Sequence, residues 1–233
     1  SSHYSTSTEV YFTSLSDKER FQIQKVKNDR NGEWVAEQTE LHQHDYFELM
    51  YVFKGEVEQQ IEKGFYRYRA GQACLLNRNT RHSEVLGQDY ILVFLCLSKE
   101  YLVGFTPNRL PKNSLLFRFF ANNLEDQAQR LKDYLNFTPL DSQSGASKQV
   151  NELFEQIERE LLLKRPGYGD MMRGLVTRLL HALTDPVQYQ CAHITLDSTK
   201  EAYLFHKVTK FMEQNNGRTT RSDLETALNY SSD

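Results

Sequence analysis

Residues Leu41 to Glu56 read LHQHDYFELMYVFKGE. Two histidines, an aspartate and a glutamate lead into an apolar run that closes at Gly55. A short apolar run ended by glycine reads as a buried strand. Alternate side chains of a strand share a face. His42, His44, Tyr46, Glu48, Met50 and Val52 therefore have one parity. His42, His44 and Glu48 point to one side over about 20 Å if fully extended, and over less where a bulge or barrel curvature bends the chain. His82, in NRNTRHSEV after a glycine-ended turn, can be brought beside them by a neighbouring strand.

The surroundings of this stretch are of the same kind. From about residue 21 to 106 the chain is a series of short strand-type segments: FQIQKV, ELMYVFKG, VEQQIEKG, FYRYRAG, ACLLN and DYILVFLCL. Their turn signals recur every 8 to 12 residues or so, the spacing of an all-β sandwich or barrel. Residues 1–20, polar and rich in Ser and Thr, read as an N-terminal arm, with Val10, Tyr11 and Phe12 as its anchors.

The pattern changes after about residue 107. The segment LLFRFFANNLEDQAQRLKDYLNF spaces its apolar residues as a helix does. From Ser147 to Lys164, Val150, Leu153, Phe154, Ile157 and Leu161 form one apolar stripe. Pro166-Gly167 breaks it. Met172, Leu175, Val176, Leu179, Leu180 and Leu183 form a second stripe, which suggests a helical hairpin over the region 107–184. Its apolar surface can cover the barrel or meet a second subunit. Residues 185–199 read as a linker. A final helix runs from about 200 to 215, with Leu204, Val208, Phe211 and Met212 on one face and Asn216-Gly217 as its stop. Ser222 then caps a short helix carrying Leu224, Ala227 and Leu228.

Composition bounds the function. The chain has 233 residues with 39% hydrophobic and 25% charged, ordinary for a globular protein. Its net charge of −3 gives no global signal for nucleic-acid binding, so any such part is local or lies outside the chain. No run approaches the roughly 18 apolar residues of a membrane span, and SSHYSTSTEV is no secretory leader. Cys74, Cys96 and Cys191 are few and scattered, which fits reduced thiols of a cytoplasmic protein. The first residue is not Met, so an excised piece is expected.

The opening stretch resembles the first motif of the cupin superfamily, Gly-x5-His-x-His-x3-Glu-x6-Gly. His42, His44, Glu48 and Gly55 keep that spacing, with Ala36 in place of the first glycine. The second motif is kept at Gly71 and His82, while Asn77, Asn79 and Leu86 replace its Pro, Gly and Asn. The resemblance covers about residues 36–86. In metal cupins the matching histidines and glutamate hold a divalent ion, so His42, His44, Glu48 and His82 are a candidate metal set. They are equally a candidate pocket lining for an organic ligand.

The later segments resemble regulators of the AraC/XylS family, in which a cupin sensor is followed by dimerising helices, a linker and two helix-turn-helix units. In HKVTKFMEQNNGRTTRSDLETALNYSSD, Val208, Phe211, Met212 and Asn215 match the first helix of the first unit. Leu224 matches the start of the second, with Glu225 where the family reads Ala, and Leu228 to Ser231 match the turn into the recognition helix. The chain ends where that helix is expected, so DNA is to be reached only through a C-terminal domain of the full-length protein.

The resemblance implies an α+β chain: a cupin-like, jelly-roll-type β-barrel, a helical dimerisation hairpin with Met172, Leu175, Leu179 and Leu183 at its interface, and a truncated helix-turn-helix stub over 200–233. It implies a sensor rather than an enzyme, taking a small effector, often a sugar, with homodimerisation, no membrane and no obligatory cofactor. The pocket expected is His42, His44, Tyr46, Glu48, Met50 and His82, with Trp34 either stacking on a sugar face or packing structurally. Arg67 and Arg69, on one strand face, are either an anion clamp or a solvated face. The competing function is a metal-dependent cupin enzyme, a dioxygenase or sugar isomerase.

Overall fold

A computed structural model describes the backbone of residues 6–14, 20–28, 37–38, 40–78, 80–86, 90–103, 110–124, 132–140 and 145–196; side chains are described from residue 40 onward, apart from residues 85 and 86. The chain divides into two units, residues 1–194 and 195–233. Residues 197–233, with the expected final helix and helix-turn-helix segment, lie outside the described residues, as does Trp34.

Strand formation begins earlier than the alternation of FQIQKV suggests. Strand β1 (Thr6–Ser14) lies in the segment expected to be an arm. It pairs antiparallel with β2 (Arg20–Asn28), from Thr6 opposite Asn28 to Ser14 opposite Arg20. There follow β3 (Glu37–Gln38), β4 (Tyr46–Lys54), β5 (Glu56–Ile61), β6 (Gly64–Arg69), β7 (Ala73–Leu76), β8 (His82–Leu86) and β9 (Tyr90–Ser98). One sheet has the order β1-β2-β9-β4-β7-β10-β11, with β10 at Asp133–Pro139 and β11 at Tyr189–Thr195, and the other β3-β8-β5-β6. The glycines closing β4 and β6 are conformational requirements. Gly55 and Gly71 have φ of 80° and 90°, in the left-handed region that side chains disfavour. A Cβ on Gly71 would also lie 3.1 Å from Ser147 Cβ.

Two readings of the later chain are corrected. The helical spacing from Leu115 does not continue to Phe137: helix α1 (Leu115–Asn123) is capped by Ser114, and Asp133–Pro139 is strand β10. Tyr134, Leu135, Asn136 and Phe137 pair with Leu76, Leu75, Cys74 and Ala73, so sheet pairing overrides the local helical pattern. The expected linker likewise contains β11 (Tyr189–Thr195), which pairs at the sheet edge beside β10. The barrel sheet therefore draws on residues well outside 21–106.

Helices α2 (Gly145–Leu163) and α3 (Tyr168–Thr184) form the expected pair, separated at Pro166-Gly167, where Gly167 is left-handed. Val150, Leu153, Phe154, Ile157 and Leu161 are buried as their stripe predicts. The second stripe requires a correction. Met172, Leu175, Leu179 and Leu183 are 0–5% exposed within the single chain, in one core with Phe47, Leu49 and Tyr51 of β4. Burial against the sheet uses up that surface, at about 1.5–3 kcal/mol per large side chain, so these four residues build the core of one chain. The apolar side chains that do lie open near the α2–α3 turn are Leu162, Leu163 and Met171.

Strand β4 is consequently buried on both faces. Phe47, Leu49 and Tyr51 face the helices: Phe47 meets the Phe120 ring edge-on at 5.2 Å, and Tyr51 stacks on Phe154 at 5.1 Å. The Tyr51 hydroxyl donates to Asn151 Oδ1 of α2. The other parity, Glu48, Met50 and Val52, faces inward. Glu48 pairs with Leu76 and Cys96, and Met50 with Cys74 and Phe94.

Candidate functional site

The bend before β4 and the start of β8 are joined by a two-way backbone bridge. His42 N–H donates to His82 O at 2.9 Å and His82 N–H to His42 O at 2.8 Å. This contact replaces the extended separation expected of a straight strand and gathers the three imidazoles. Ring centroids of His42, His44 and His82 lie 4.4–5.2 Å apart, and the nitrogens they can offer to a ligand all lie within 4.8 Å of one another. Tyr46 stacks flat on His44 at 4.5 Å. The structure thus brings together His42, His44, Tyr46, Glu48 and His82, with Met50 one inward position further along β4.

Glu48 sits at the centre, 6% exposed. Its Oε1 lies 3.1 Å from His82 Nε2 and its Oε2 3.4 Å from His44 Nε2. The shorter approach lacks the alignment of a hydrogen bond, and both Glu48 Oε1 and His82 Nε2 are buried with no hydrogen-bond partner in the protein. Burial alone would raise the Glu48 carboxyl; the adjacent His82, then His44 and His42, outweigh it and hold it below the ordinary carboxylate range. Burial would lower His82, yet Glu48 outweighs it and raises it. His44 is lowered, chiefly by its own burial.

The far ring nitrogens are fixed by backbone carbonyls. His82 Nδ1 is 2.9 Å from Thr80 O, and His42 Nδ1 is 2.6 Å from Glu40 O. Each Nδ1 is therefore assigned as a donor, so that Nε2 of a neutral ring is the atom left for the site, while a protonated His82 turns its Nε2–H toward Glu48. Carbonyl-anchored imidazoles of this kind are the usual support of metal-binding histidines. With the orphaned Glu48 Oε1 and His82 Nε2, the set fits a divalent cation held by His42, His44, His82 and Glu48.

Sequence reading missed the inward residues of the second sheet. In β5, Gln59 is opposite Glu84 of β8 and Tyr66 of β6. Gln59 is 0% exposed, and neither its Nε2 nor its Oε1 has a partner in the protein. Glu84 is also buried, with a carboxylate oxygen within 4.8 Å of Glu48 and His82 ligand atoms. Tyr134 of β10 lies 5.7 Å from the Tyr66 ring, and its buried hydroxyl is unpartnered. The alternation in VEQQIEKG carries the signal for Gln59: Val57, Gln59 and Ile61 share one parity, and a polar residue between two inward apolar ones is a buried amide. Arg67 and Arg69 are on the opposite, solvated face and pair with Glu56. Cys74 and Cys96 are inward thiols raised by burial, Cys74 to about 12, and both are unsuited to nucleophilic work.

A family model described as the AraC-like ligand binding domain matches residues 36–90, the span that carries β3 to the start of β9 and the whole His/Glu cluster. Residues 36–90 are thus similar to an AraC-like ligand binding domain. No curated protein matches the chain at a significant level. Among solved structures, the chain is similar to the AraC-like transcriptional activator CuxR at 10% identity, over 96% of this chain and 70% of that one, with a TM-score of 0.45. It is also similar to a Cupin 2 conserved barrel domain protein from Salinispora arenicola (12% identity, 42% and 81% coverage, TM-score 0.34) and to KdgF from Halomonas sp. (22% identity, 37% and 84% coverage, TM-score 0.29). Among the described residues, no helix is long and apolar enough to cross a membrane.

Proposed function

We propose that this domain senses a small metabolite, sugar-like in its chemistry, inside the barrel, and that binding controls DNA recognition by helix-turn-helix units of the full-length regulator. The observation that carries this reading is the AraC-like match over the segment whose inward residues, Glu48 and His82, hold buried polar atoms 3.1 Å apart that no hydrogen bond within the protein satisfies. Buried polar atoms are ordinarily satisfied, so such a set invites an outside molecule. Strand β4 supplies the mechanical link. Its inner face carries Glu48 and Met50, and its outer face carries Phe47 and Tyr51 against α1 and α2. A ligand that favours one placement of β4 shifts the helices by its differential affinity for the two arrangements, and by no more than that. The reading includes a cytoplasmic homodimer assembled through surface other than the buried Met172–Leu183 stripe; the open Leu162, Leu163 and Met171 are available for it.

Thermal denaturation across neutral sugars, sugar phosphates and small acids tests the proposal. The effector raises the melting temperature, since it binds only the native state, by the equivalent of about 2.7 kcal/mol at a hundred times Kd. Glu48→Gln removes most of that rise. A rise that is unchanged in Glu48→Gln contradicts a barrel site.

A second reading is favoured by the carbonyl-anchored histidines. The same cluster would hold a divalent cation in a cupin enzyme, where the ion would supply a Lewis acid to a bound oxygen. In that case Tyr46, stacked on His44, orients the bound molecule, and Met50, Leu92 and Phe94 exclude water behind it. Stoichiometric metal abolished by His44→Ala, with turnover of a substrate, selects the enzyme. An effector response that persists after chelation selects the sensor.

A further inference from the structure

Strand β11 is fastened by side chains near each end. At its start the Tyr189 hydroxyl donates to Gly71 O at 2.9 Å, and the turn before it closes as Gln188 N–H and Tyr189 N–H donate to Asp185 O. Toward its other end His193 Nε2 lies 2.7 Å from Asp133 Oδ2 of β10, with the Phe119 ring edge-on at 5.9 Å. Among the described residues only β10 pairs with β11, which stands last in its sheet. A strand paired on one side opens more easily than one paired on both. Thr195, the last residue of β11, is also the first of the chain's second unit, so this strand is the covalent exit from the sheet.

Asp133, the anchor of His193, is gripped from the direction of the histidine cluster. Asn77 N–H donates to Asp133 O at 3.2 Å, and Asn77 Nδ2 to Asp133 Oδ1 at 2.7 Å. Three residues further on, Thr80 N–H donates to Asn77 O at 3.4 Å, while Thr80 O is the carbonyl 2.9 Å from His82 Nδ1. The short segment between β7 and β8 thus holds a cluster histidine at one end and the anchor of β11 at the other. Arg78 adds a second route. Its buried guanidinium donates to Asp45 Oδ1, between His44 and Tyr46, at 3.2 Å and to Asn123 O at 2.8 Å. Asn123 Oδ1 in turn accepts from Asn77 Nδ2 at 2.9 Å. Both routes converge on Asn77.

We propose that residues 192–195 of β11 are a latch, and that the β7–β8 segment sets its docking according to how the His82 imidazole is held. The inference rests on the sensor reading above and names the route by which an occupied site is read out at the chain's exit strand. A molecule that engages His82 Nε2 moves a ring whose Nδ1 fixes Thr80. Thr80 and Asn77 move with it, and Asn77 orients Asp133 toward or away from His193. The latch has two states of similar standing. Docked, His193 meets Asp133; released, a side chain already 24% exposed completes its hydration, while Asp133 keeps the Asn77 donors. A ligand shifts this equilibrium by its differential affinity for the two states.

Native-state hydrogen exchange on the ligand-free 233-residue chain tests the coupling as a double-mutant cycle. His193→Ala should speed exchange of the amides of residues 192–195 about tenfold, the loss of one hydrogen bond. His82→Leu should speed the same amides about threefold, and His82→Asn, which returns a short amide donor for Thr80 O, should restore the parent rate. The double variant His82→Leu/His193→Ala should exchange no faster than His193→Ala alone. The amides of Leu153 and Phe154 in α2 should keep their rates, which separates an opened latch from a weakened fold. If His82→Leu does not fold, Asp45→Ala, at an exposed position, replaces it and is expected to behave in the same way by loosening Arg78. Rates that multiply in the double variant overturn the inference, as does a His82 or Asp45 variant that leaves residues 192–195 unchanged or speeds α2 equally. The cycle uses no ligand, so each of these results leaves the sensor reading intact. That reading fails separately, on the melting-temperature screen above.

Discussion

Two buried polar clusters in this domain differ in one respect. Beside α1, Asp133 accepts from Asn77 Nδ2 at 2.7 Å and lies 2.7 Å from His193 Nε2. Asn77 Nδ2 also donates to Asn123 Oδ1 at 2.9 Å, and Asn123 Nδ2 donates to Phe119 O at 2.8 Å. No buried side-chain nitrogen or oxygen of these four residues is left without a partner; the unpaired buried atom at the edge is Arg78 Nε. Inside the barrel, Glu48 Oε1, His82 Nε2, both amide atoms of Gln59 and the Tyr134 hydroxyl have no hydrogen-bond partner in the protein. A closed network ties elements together, here α1, β10 and β11. An open one costs stability and is retained where something else completes it. Under the proposed function, closure separates buried polarity that holds the fold from buried polarity that awaits a ligand.

The largest expected effect is in the closed cluster. Asp133→Ala strands the donors of Asn77 and His193 and should cost about 3–5 kcal/mol in urea denaturation. A cost below about 1 kcal/mol would remove the structural half of the contrast. Next, Glu48→Gln should abolish most ligand-induced stabilisation while shifting ligand-free stability by less than about 1.5 kcal/mol. The reverse pattern, a large stability loss with intact response, would make the open cluster structural as well.

The smallest effect lies outside both. Glu62 accepts from Arg81 at 2.9 Å and pairs with Lys132 at 2.9 Å. Partial burial would raise its carboxyl, but Lys132 and Arg81 outweigh that and hold it low. A group with a depressed folded pKa contributes stability above the unfolded value of about 4.3 and loses it as pH falls through the lower folded value. Glu62→Gln should therefore flatten the acid limb of the stability profile below about pH 4.5 and leave neutral ligand binding unchanged. An unaltered acid limb would contradict that assignment.

Much of the open cluster was legible in the sequence because it rests on period-two alternation and one spacing. His42, His44, Tyr46, Glu48 and Met50 share parity on or just before β4, and Gly71 and His82 keep the motif distance. The alternation of VEQQIEKG marked Gln59 only as an inward amide, and Tyr134 was not legible at all, since it arrives by pairing between strands far apart in sequence. The closed cluster was hidden for the same reason, compounded by DYLNF, whose helical spacing gives way to sheet pairing in β10. The α3 stripe shows a limit of another kind. Met172, Leu175, Leu179 and Leu183 say that one helix face is buried, and only the tertiary structure says that β4 and α2 bury it.

The most direct measurement sets one member of each cluster side by side: the free energies of unfolding of Gln59→Leu and Asn123→Leu without ligand. Replacing an unpartnered buried amide by an apolar side chain of similar size relieves a penalty, so Gln59→Leu should be as stable as the parent or more stable by about 1 kcal/mol. Asn123→Leu opens a satisfied network and should be less stable by about 2–3 kcal/mol. Equal losses in the two variants would mean that Gln59 is held as firmly as Asn123, and would contradict a barrel interior kept polar for a ligand.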